Sequence, residues 1–218
     1  MSEYVRRVTD LPGCLASRLE SLDIELTERC NNDCMHCCIN LSAGDSGARA
    51  RETSTEQLKG ILREAERLGC LEVRFTGGEP LLRSDFEELY LFARRLGLKV
   101  LIYSNGRLID RRLAALWARI PPLTPIQISV YGMRAESYEA VTRAPGSFEE
   151  FRRGVALLLE HEVPFLVKGA LLPPNRAEID EFEAWARTVP GMDRRPGYSM
   201  FFDLRNRRDD DTKNRLIR

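Results

Sequence analysis

Several features that mark other protein classes are missing from this sequence. It contains no run of the roughly 18 apolar residues that a membrane-spanning helix needs, and residues 1–15 hold no apolar stretch of signal-peptide length. Lysine plus arginine and aspartate plus glutamate number 33 each, so no general positive charge favours nucleic acid binding. These absences predict a cytoplasmic protein whose partners include neither a membrane nor nucleic acid.

The chain also lacks internal repeats and low-complexity linkers, and its 218 residues can form the core of a single α/β domain. We interpret residues 1–20 as an N-terminal lead-in, residues 21–203 as the core and residues 204–218 as a charged C-terminal tail. The sequence stops after Leu216, Ile217 and Arg218 without a turn or a cap, which favours a truncated piece of a longer protein.

Strand-like and helix-like patterns alternate along the core. The predicted strands are residues 22–26, 71–75, 98–103, 126–130, 163–171 and 198–202. Helical periods lie between most of them, with capping-box patterns that begin at Ser54, Ser84 and Ser147, whereas residues 40–52 are interpreted as a polar connection. This order predicts a parallel sheet with right-handed crossovers, either as an open doubly wound sheet or as a partial barrel.

The most unusual segment is residues 30–38, which contains four of the six cysteines. Cys30, Cys34 and Cys37 have C-x3-C-x2-C spacing, and clustered thiols in a reducing compartment favour metal binding over disulfides. Three thiolates can hold three irons of a [4Fe–4S] cluster and leave the fourth iron open. Zinc is the alternative, with Cys38 or His36 as a further ligand. Structural zinc sites usually combine two separated ligand pairs, and no second Cys/His pair follows downstream, which favours the cluster.

Other polar residues follow the later strands. The Gly77-Gly78-Glu79-Pro80 turn follows the second strand, Ser104-Asn105-Gly106 follows the third, and Ser129 and Lys168 lie near the ends of the next two. Parallel strands place their carboxyl ends on one edge, so we expect these residues and the cysteine loop to share a rim. Two adjacent glycines let the backbone approach a ligand closely, and Glu79 is an acceptor suited to an ammonium group.

The C-x3-C-x2-C loop with His36 before its last cysteine, together with Gly77-Gly78-Glu79-Pro80, resembles the radical S-adenosylmethionine (radical SAM) superfamily over residues 20–203. The resemblance implies a partial (β/α)6 TIM-like barrel, with a [4Fe–4S] cluster and SAM as cofactors. It also implies that SAM binds the open iron through its amino and carboxylate groups. An electron from a donor such as flavodoxin or ferredoxin then cleaves SAM to a 5′-deoxyadenosyl radical, which abstracts hydrogen from a substrate.

The resemblance also implies roles for individual positions, without assigning a catalytic residue. The cluster ligands are Cys30, Cys34 and Cys37, with Cys38 as a bystander. The turn that receives the SAM amino group consists of Gly77, Gly78 and Glu79, closed by Pro80. Contacts to the SAM ribose or carboxylate are expected from Ser104, Asn105, Ser129 and Lys168.

The substrate class is predicted from two further segments. Residues 128–132 and 145–148 resemble peptide- and protein-modifying members that carry a cysteine-rich C-terminal extension, the SPASM type. No cysteine follows Cys70, so the sequence departs from that type and the auxiliary clusters of the extension are not expected in this chain. We predict a peptide substrate, a ribosomally made precursor. The alternatives are a cofactor-biosynthesis enzyme acting on a small molecule and a non-catalytic fragment that binds an iron–sulfur cluster or SAM.

Overall fold

The structure is a computed structural model that describes residues 19–37, 41–192 and 195–199. Most of the predicted lead-in, the predicted tail and Cys38 lie outside the described residues. The described strands are β1 (Ser21–Thr27), β2 (Arg29–Cys30), β3 (Leu41–Ser42), β4 (Glu72–Gly77), β5 (Lys99–Ser104), β6 (Ile126–Val130), β7 (Phe165–Ala170) and β8 (Gly197–Ser199). The described helices are α1 (Ser46–Ala50), α2 (Thr55–Arg67), α3 (Phe86–Arg95), α4 (Arg111–Arg119), α5 (Ala135–Thr142), α6 (Ser147–Glu160) and α7 (Ile179–Ala186).

Six of the described strands form the parallel main sheet in the order β1-β4-β5-β6-β7-β8, which is also their order along the chain. A doubly wound sheet would reverse direction at a switch point, and this order never reverses. Successive right-handed crossovers therefore all advance the same way and place the helices on one face. The sheet is the partial (β/α)6 barrel, which decides between the two predicted architectures.

One face of each strand packs against the helices and forms the core. Phe75 of β4, Ile102 of β5 and Ile128 of β6 are fully buried on this face. Side chains alternate between the faces of a strand, so the neighbouring residues line the inner face of the barrel. Tyr103 and Gln127 are paired there in the β5–β6 register. The inner face thus carries polar side chains together with Leu101 and Leu166, while the helix-covered face supplies most of the hydrophobic core.

The predicted strands are confirmed, with shifts at their ends. The fifth extends only over Phe165–Ala170, and the described part of the sixth is Gly197–Ser199, since residues 200–202 lie outside the described range. Among the described residues, no helix combines the length and apolar character needed to span a bilayer.

Only one of the three predicted capping boxes is present. At α2, Ser54 and Gln57 form the reciprocal bonds of a capping box. At α3 the N-cap is Asp85 rather than Ser84, and the Asp85 carboxylate binds Arg83 at 2.6 Å instead of capping the helix. At α6 the N-cap is Gly146, so the predicted cap at Ser147 is wrong. Other side-chain partners of Asp85, the neighbouring Arg83 and the distant Thr55, thus take the place of the cap at α3.

The predicted polar connection 40–52 is wrong in part, because it contains α1. Asp45 caps this helix through a 2.7 Å bond from the Ala48 backbone N–H. The following Glu52 accepts hydrogen bonds from Thr27 at 2.5 Å and from Arg29 at 2.7 Å. The end of this connection is therefore hydrogen-bonded to the residues at the end of β1, directly before the cysteine loop.

Candidate functional site

The cysteine loop leaves β2 at the carboxyl end of the sheet and reaches across to α5. The Asp33 N–H donates to the Thr142 carbonyl at 2.8 Å, and the Met35 N–H donates to the Val141 carbonyl at 2.9 Å. Met35 also packs in a small apolar cluster with Val141, Ala170 and Leu172. These contacts hold the loop over the barrel rim, between its first strand and its later helices.

The predicted ligands Cys30, Cys34 and Cys37 are present as thiols on this loop. Burial, reinforced by the nearby Glu79 charge, raises the pKa of Cys30 to about 12. Burial also raises the pKa of Cys34 well above its usual value, with Cys30 and Cys37 adding to the rise. The three thiols therefore lie close enough for their charges to interact. Three bare thiolates would be strongly disfavoured here, and a metal centre supplies the positive charge that keeps coordinating thiols deprotonated.

Within the described residues, no group of three or more His, Cys, Asp or Glu side chains is arranged to hold one metal ion. These residues fit an iron–sulfur cluster because one loop carries three cysteines whose charges affect one another. Donors to sulfur add to that fit. The Asn32 N–H lies 3.4 Å from Cys30 Sγ, and Asn105 Nδ2 lies 3.9 Å from the same atom.

The Gly77-Gly78 pair lies against the segment that leads into the cysteine loop. A Cβ on Gly77 would lie 2.3 Å from the Thr27 carbonyl oxygen, and one on Gly78 would lie 2.1 Å from that of Arg29. Gly77 also has a φ of 131°, which favours glycine. The Gly78 and Glu79 N–H groups donate to those carbonyls at 2.7 and 2.8 Å. The glycines are therefore required for packing of the turn against the loop, whatever ligand the turn also binds.

Glu79 joins the ends of β4 and β5. Its carboxylate accepts hydrogen bonds from the Ser104 hydroxyl at 2.9 Å, the Asn105 N–H at 2.8 Å and the Leu81 N–H at 3.2 Å. Burial raises the pKa of Glu79 to about 7, although these donors oppose the rise. Pro80 is buried and begins a short 3-10 helix, Pro80–Leu82. The carboxylate thus fixes the turn, and a cation placed beside it would favour its charged form.

Ser129 and Lys168 form a second polar group on the inner face of the barrel. They are paired in the β6–β7 register, and Lys168 Nζ lies 5.2 Å from the centroid of the Tyr103 ring. The structure therefore brings Gly77–Pro80, Ser104 and Asn105 directly to the cysteine loop, while Ser129 and Lys168 belong to the neighbouring strands.

Arg107 follows the Ser104-Asn105-Gly106 turn and is a residue of this site that no sequence pattern predicted. Its side chain is only 9% exposed and forms an ion pair with Glu150 of α6 at 2.6 Å. Arg107 Nη1 also donates to the Asn31 carbonyl and to Asn32 Oδ1 in the cysteine loop. Nothing in the sequence distinguishes one arginine among 33 basic residues. Only the place of Arg107 in the fold shows that it belongs to this site.

Tyr131 was also missed as a neighbour of the cysteines. Its ring lies 5.2 Å from that of His36, measured between centroids. Its hydroxyl is hydrogen-bonded to Cys34, which opposes the rise in the Cys34 pKa. Residues 128–132 carry the resemblance to a subfamily, but that resemblance assigns no role to the tyrosine.

Comparison with known proteins connects this geometry to a family. A family model described as the Radical SAM superfamily matches residues 24–186. The mycofactocin maturase MftC of Mycolicibacterium smegmatis is 39% identical over 187 residues, which cover 84% of this chain and 44% of that protein. A probable GTP 3′,8-cyclase of Methanosarcina acetivorans is 36% identical over 179 residues, which cover 80% of this chain and 52% of that protein. The chain spans about half the length of the curated relatives it matches.

Among solved structures, Streptococcus suis SuiB has the same fold. SuiB bound to S-adenosylmethionine aligns with a TM-score of 0.69 at 17% identity, covering 98% of this chain and 48% of that chain. SuiB bound to the precursor peptide SuiA aligns with a TM-score of 0.66 at 18% identity, covering 82% of this chain and 38% of that chain.

Proposed function

The chain belongs to the radical SAM superfamily, and on that premise we propose that it is a radical SAM enzyme that abstracts hydrogen from a peptide substrate, a ribosomally made precursor. The cofactors are those of the family, a [4Fe–4S] cluster and SAM. The cluster ligands in this proposal are Cys30, Cys34 and Cys37. When bound, the two cofactors supply the 5′-deoxyadenosyl radical that removes the substrate hydrogen.

One observation carries the assignment of the cofactor site. The Gly77–Glu79 turn is hydrogen-bonded to Thr27 and Arg29, the residues that lead directly into Cys30. The turn proposed to bind the SAM amino group is therefore rigidly connected to the loop proposed to bind the cluster. Such a connection suits a ligand that must touch both, because its two contact points then keep a constant separation.

The charges near the turn support the same assignment. The pKa of the buried Glu79 carboxyl is raised to about 7, so an adjacent ammonium group would favour its ionised form. The SAM methionine moiety carries such an ammonium group. In the proposal Gly77, Gly78 and Glu79, closed by Pro80, receive this group. Ser104, Asn105, Ser129 and Lys168 bind the ribose or the carboxylate.

The cofactor assignment is tested by anaerobic reconstitution with iron and sulfide, followed by incubation with SAM and dithionite. Iron binding together with release of 5′-deoxyadenosine supports an enzyme. Iron binding without SAM cleavage would support the non-catalytic alternative, and stoichiometric zinc without iron would contradict the cluster. In the Glu79→Ala variant we expect weaker SAM binding at unchanged iron content. Loss of both together would show that Glu79 only maintains the structure.

The peptide substrate is favoured by the 39% identity to a protein named a maturase. The similarity to a probable GTP 3′,8-cyclase at 36% identity favours a small-molecule substrate as the second candidate. We would compare 5′-deoxyadenosine formation in the presence of short peptides encoded beside this gene with its formation in the presence of GTP. A mass change in a peptide would support the first candidate, whereas consumption of GTP would support the second.

A further inference from the structure

Arg107 connects the turn after β5 to the cysteine loop. Its Nη1 donates to the Asn31 carbonyl and, at 2.5 Å, to Asn32 Oδ1. Both acceptors lie between the first two proposed ligands, Cys30 and Cys34. With its side chain 9% exposed, the guanidinium is a largely buried cation that holds the backbone of the loop directly.

The turn that carries Arg107 is itself closely constrained. Gly106 has a φ of 79°, and the Arg107 N–H donates to Asn105 Oδ1 at 3.0 Å. Helix α6 approaches from behind, where a Cβ on Gly154 would lie 2.0 Å from the Gly106 carbonyl oxygen. The carboxylate of Glu150, also in α6, accepts a hydrogen bond from Arg107 Nε at 2.7 Å. The guanidinium is therefore held in one orientation by two elements of the barrel.

The positive charge of Arg107 reaches the thiols as well as the backbone. Its guanidinium bonds to Asn31 and Asn32, the two residues that follow Cys30, and the side chain of the adjacent Asn105 lies 3.9 Å from Cys30 Sγ. A [4Fe–4S] centre held by three thiolates carries net negative charge, and reduction adds one more negative charge. A fixed cation in a poorly solvated site stabilises the more negative state.

We propose that Arg107 is a positioning residue that fixes the cysteine loop and raises the reduction potential of the cluster. The proposal rests on the proposed function only in that the loop binds a [4Fe–4S] cluster. The step that Arg107 favours is the transfer of one electron from a low-potential donor, of the flavodoxin or ferredoxin class, to the cluster. No bond is made or broken in that step, and no proton moves.

The test is a redox titration of the reconstituted protein with dithionite, followed by electron paramagnetic resonance. We expect a more negative midpoint potential in Arg107→Met. A smaller shift of the midpoint potential is expected in Arg107→Lys, which keeps the positive charge but loses the planar guanidinium group. Glu150→Gln should shift the potential in the opposite direction, because it removes the counter-charge of Arg107.

Arg111→Met is the matched control, since Arg111 is exposed and paired with Glu160. Equal potentials in Arg107→Met and the parent would overturn the electrostatic role.

The positioning role is tested separately on the protein without iron. Hydrogen–deuterium exchange of residues 31–35 should be faster in Arg107→Met than in the parent, and unchanged in Arg111→Met. Unchanged exchange in Arg107→Met would overturn the positioning role. A parent protein that binds no iron would contradict the proposed function and the electrostatic role, while the exchange measurement would still decide the positioning role.

Discussion

Two regions of the barrel rim differ in how their polar groups are used. Around the cysteine loop, most polar side chains bond to one another, and among the described residues the buried Asn32 Nδ2 is an exception. Glu79 accepts three hydrogen bonds, and Arg107 bridges the loop and α6. On the inner face of β6 and β7, Lys168 is exposed, and the buried Gln127 Oε1 has no partner among the described residues. In the first region, the polar groups stabilise the local structure. In the second region, polar groups remain that can bind a ligand.

This contrast implies that substitutions in the two regions have different consequences. A change near the cysteine loop should affect both the fold and cofactor binding, because the same bonds serve both. A change on the inner face should affect ligand binding with little loss of stability.

Replacement of any proposed ligand, Cys30, Cys34 or Cys37, by alanine should abolish the bound cluster, because three thiolates are the minimum donor set for three irons. Iron content and the visible absorbance after anaerobic reconstitution provide the measurement. Cys70→Ala is the matched control, since that buried thiol donates to the Glu72 carbonyl at 3.1 Å, away from the loop. Retention of full iron content in one of the three ligand variants would show that the ligand set is wrong, with Cys38 as the next residue to test.

Glu79 should make the protein without cofactors less stable as pH rises. The usual pKa of 4.5 is raised by burial to about 7 in the folded protein, so between these values the unfolded chain releases its proton first. The free energy of unfolding should therefore fall by about 3 kcal/mol across this window. Urea unfolding at about pH 5 and about pH 8 measures the change.

The Glu79→Gln variant should lose this pH dependence, whereas Glu66→Gln, at an exposed helical position, should keep it. If Glu79→Gln falls in stability with pH as steeply as the parent, another group is responsible. The result would then contradict the assignment of this pH dependence to the buried Glu79 carboxyl group.

Gly78→Ala should destabilise the fold by about 1–3 kcal/mol, as expected for overpacking. The added Cβ would lie 2.1 Å from the Arg29 carbonyl oxygen, a backbone atom. The matched control is Gly60→Ala in α2, where a Cβ would meet nothing within 4 Å. That control should stabilise the protein by about 0.5–1 kcal/mol through helix propensity. Equal urea midpoints for the two variants would contradict the close packing of the turn against the loop.

Lys168→Met should change the free energy of unfolding by no more than about 0.5 kcal/mol, because the side chain is exposed. If Lys168 binds a carboxylate of SAM, the variant should bind SAM a few-fold more weakly, the range expected for an exposed charge pair. Equilibrium binding to the reconstituted protein measures this effect. Lys99→Met, at the opposite end of β5, is the control for lost surface charge. SAM affinity equal to that of the parent would remove Lys168 from the cofactor site.

The predicted fold is confirmed to a large extent, because periodicity records which face of each element is buried. The alternation of Val73 and Phe75 with polar residues predicted β4, and the apolar period of α2 predicted its buried face. Capping was less predictable. Ser147 is a good N-cap residue, but its hydroxyl bonds to Thr142 at 2.7 Å and the helix begins after Gly146. Local preference of a few tenths to about 2 kcal/mol is easily outweighed by such tertiary contacts.

Residue type at short spacing was enough to predict the alternation of strands and helices, the cysteine loop and the Gly-Gly-Glu-Pro turn, whereas the strand order of the structure decided for the partial barrel. The tertiary structure alone decided which charges meet. It placed Arg107 on the cysteine loop from 70 or more positions away and turned the Glu79 carboxylate toward Ser104 and Asn105. Such pairs depend on the register between strands and on burial, and the local pattern of a sequence predicts neither of them.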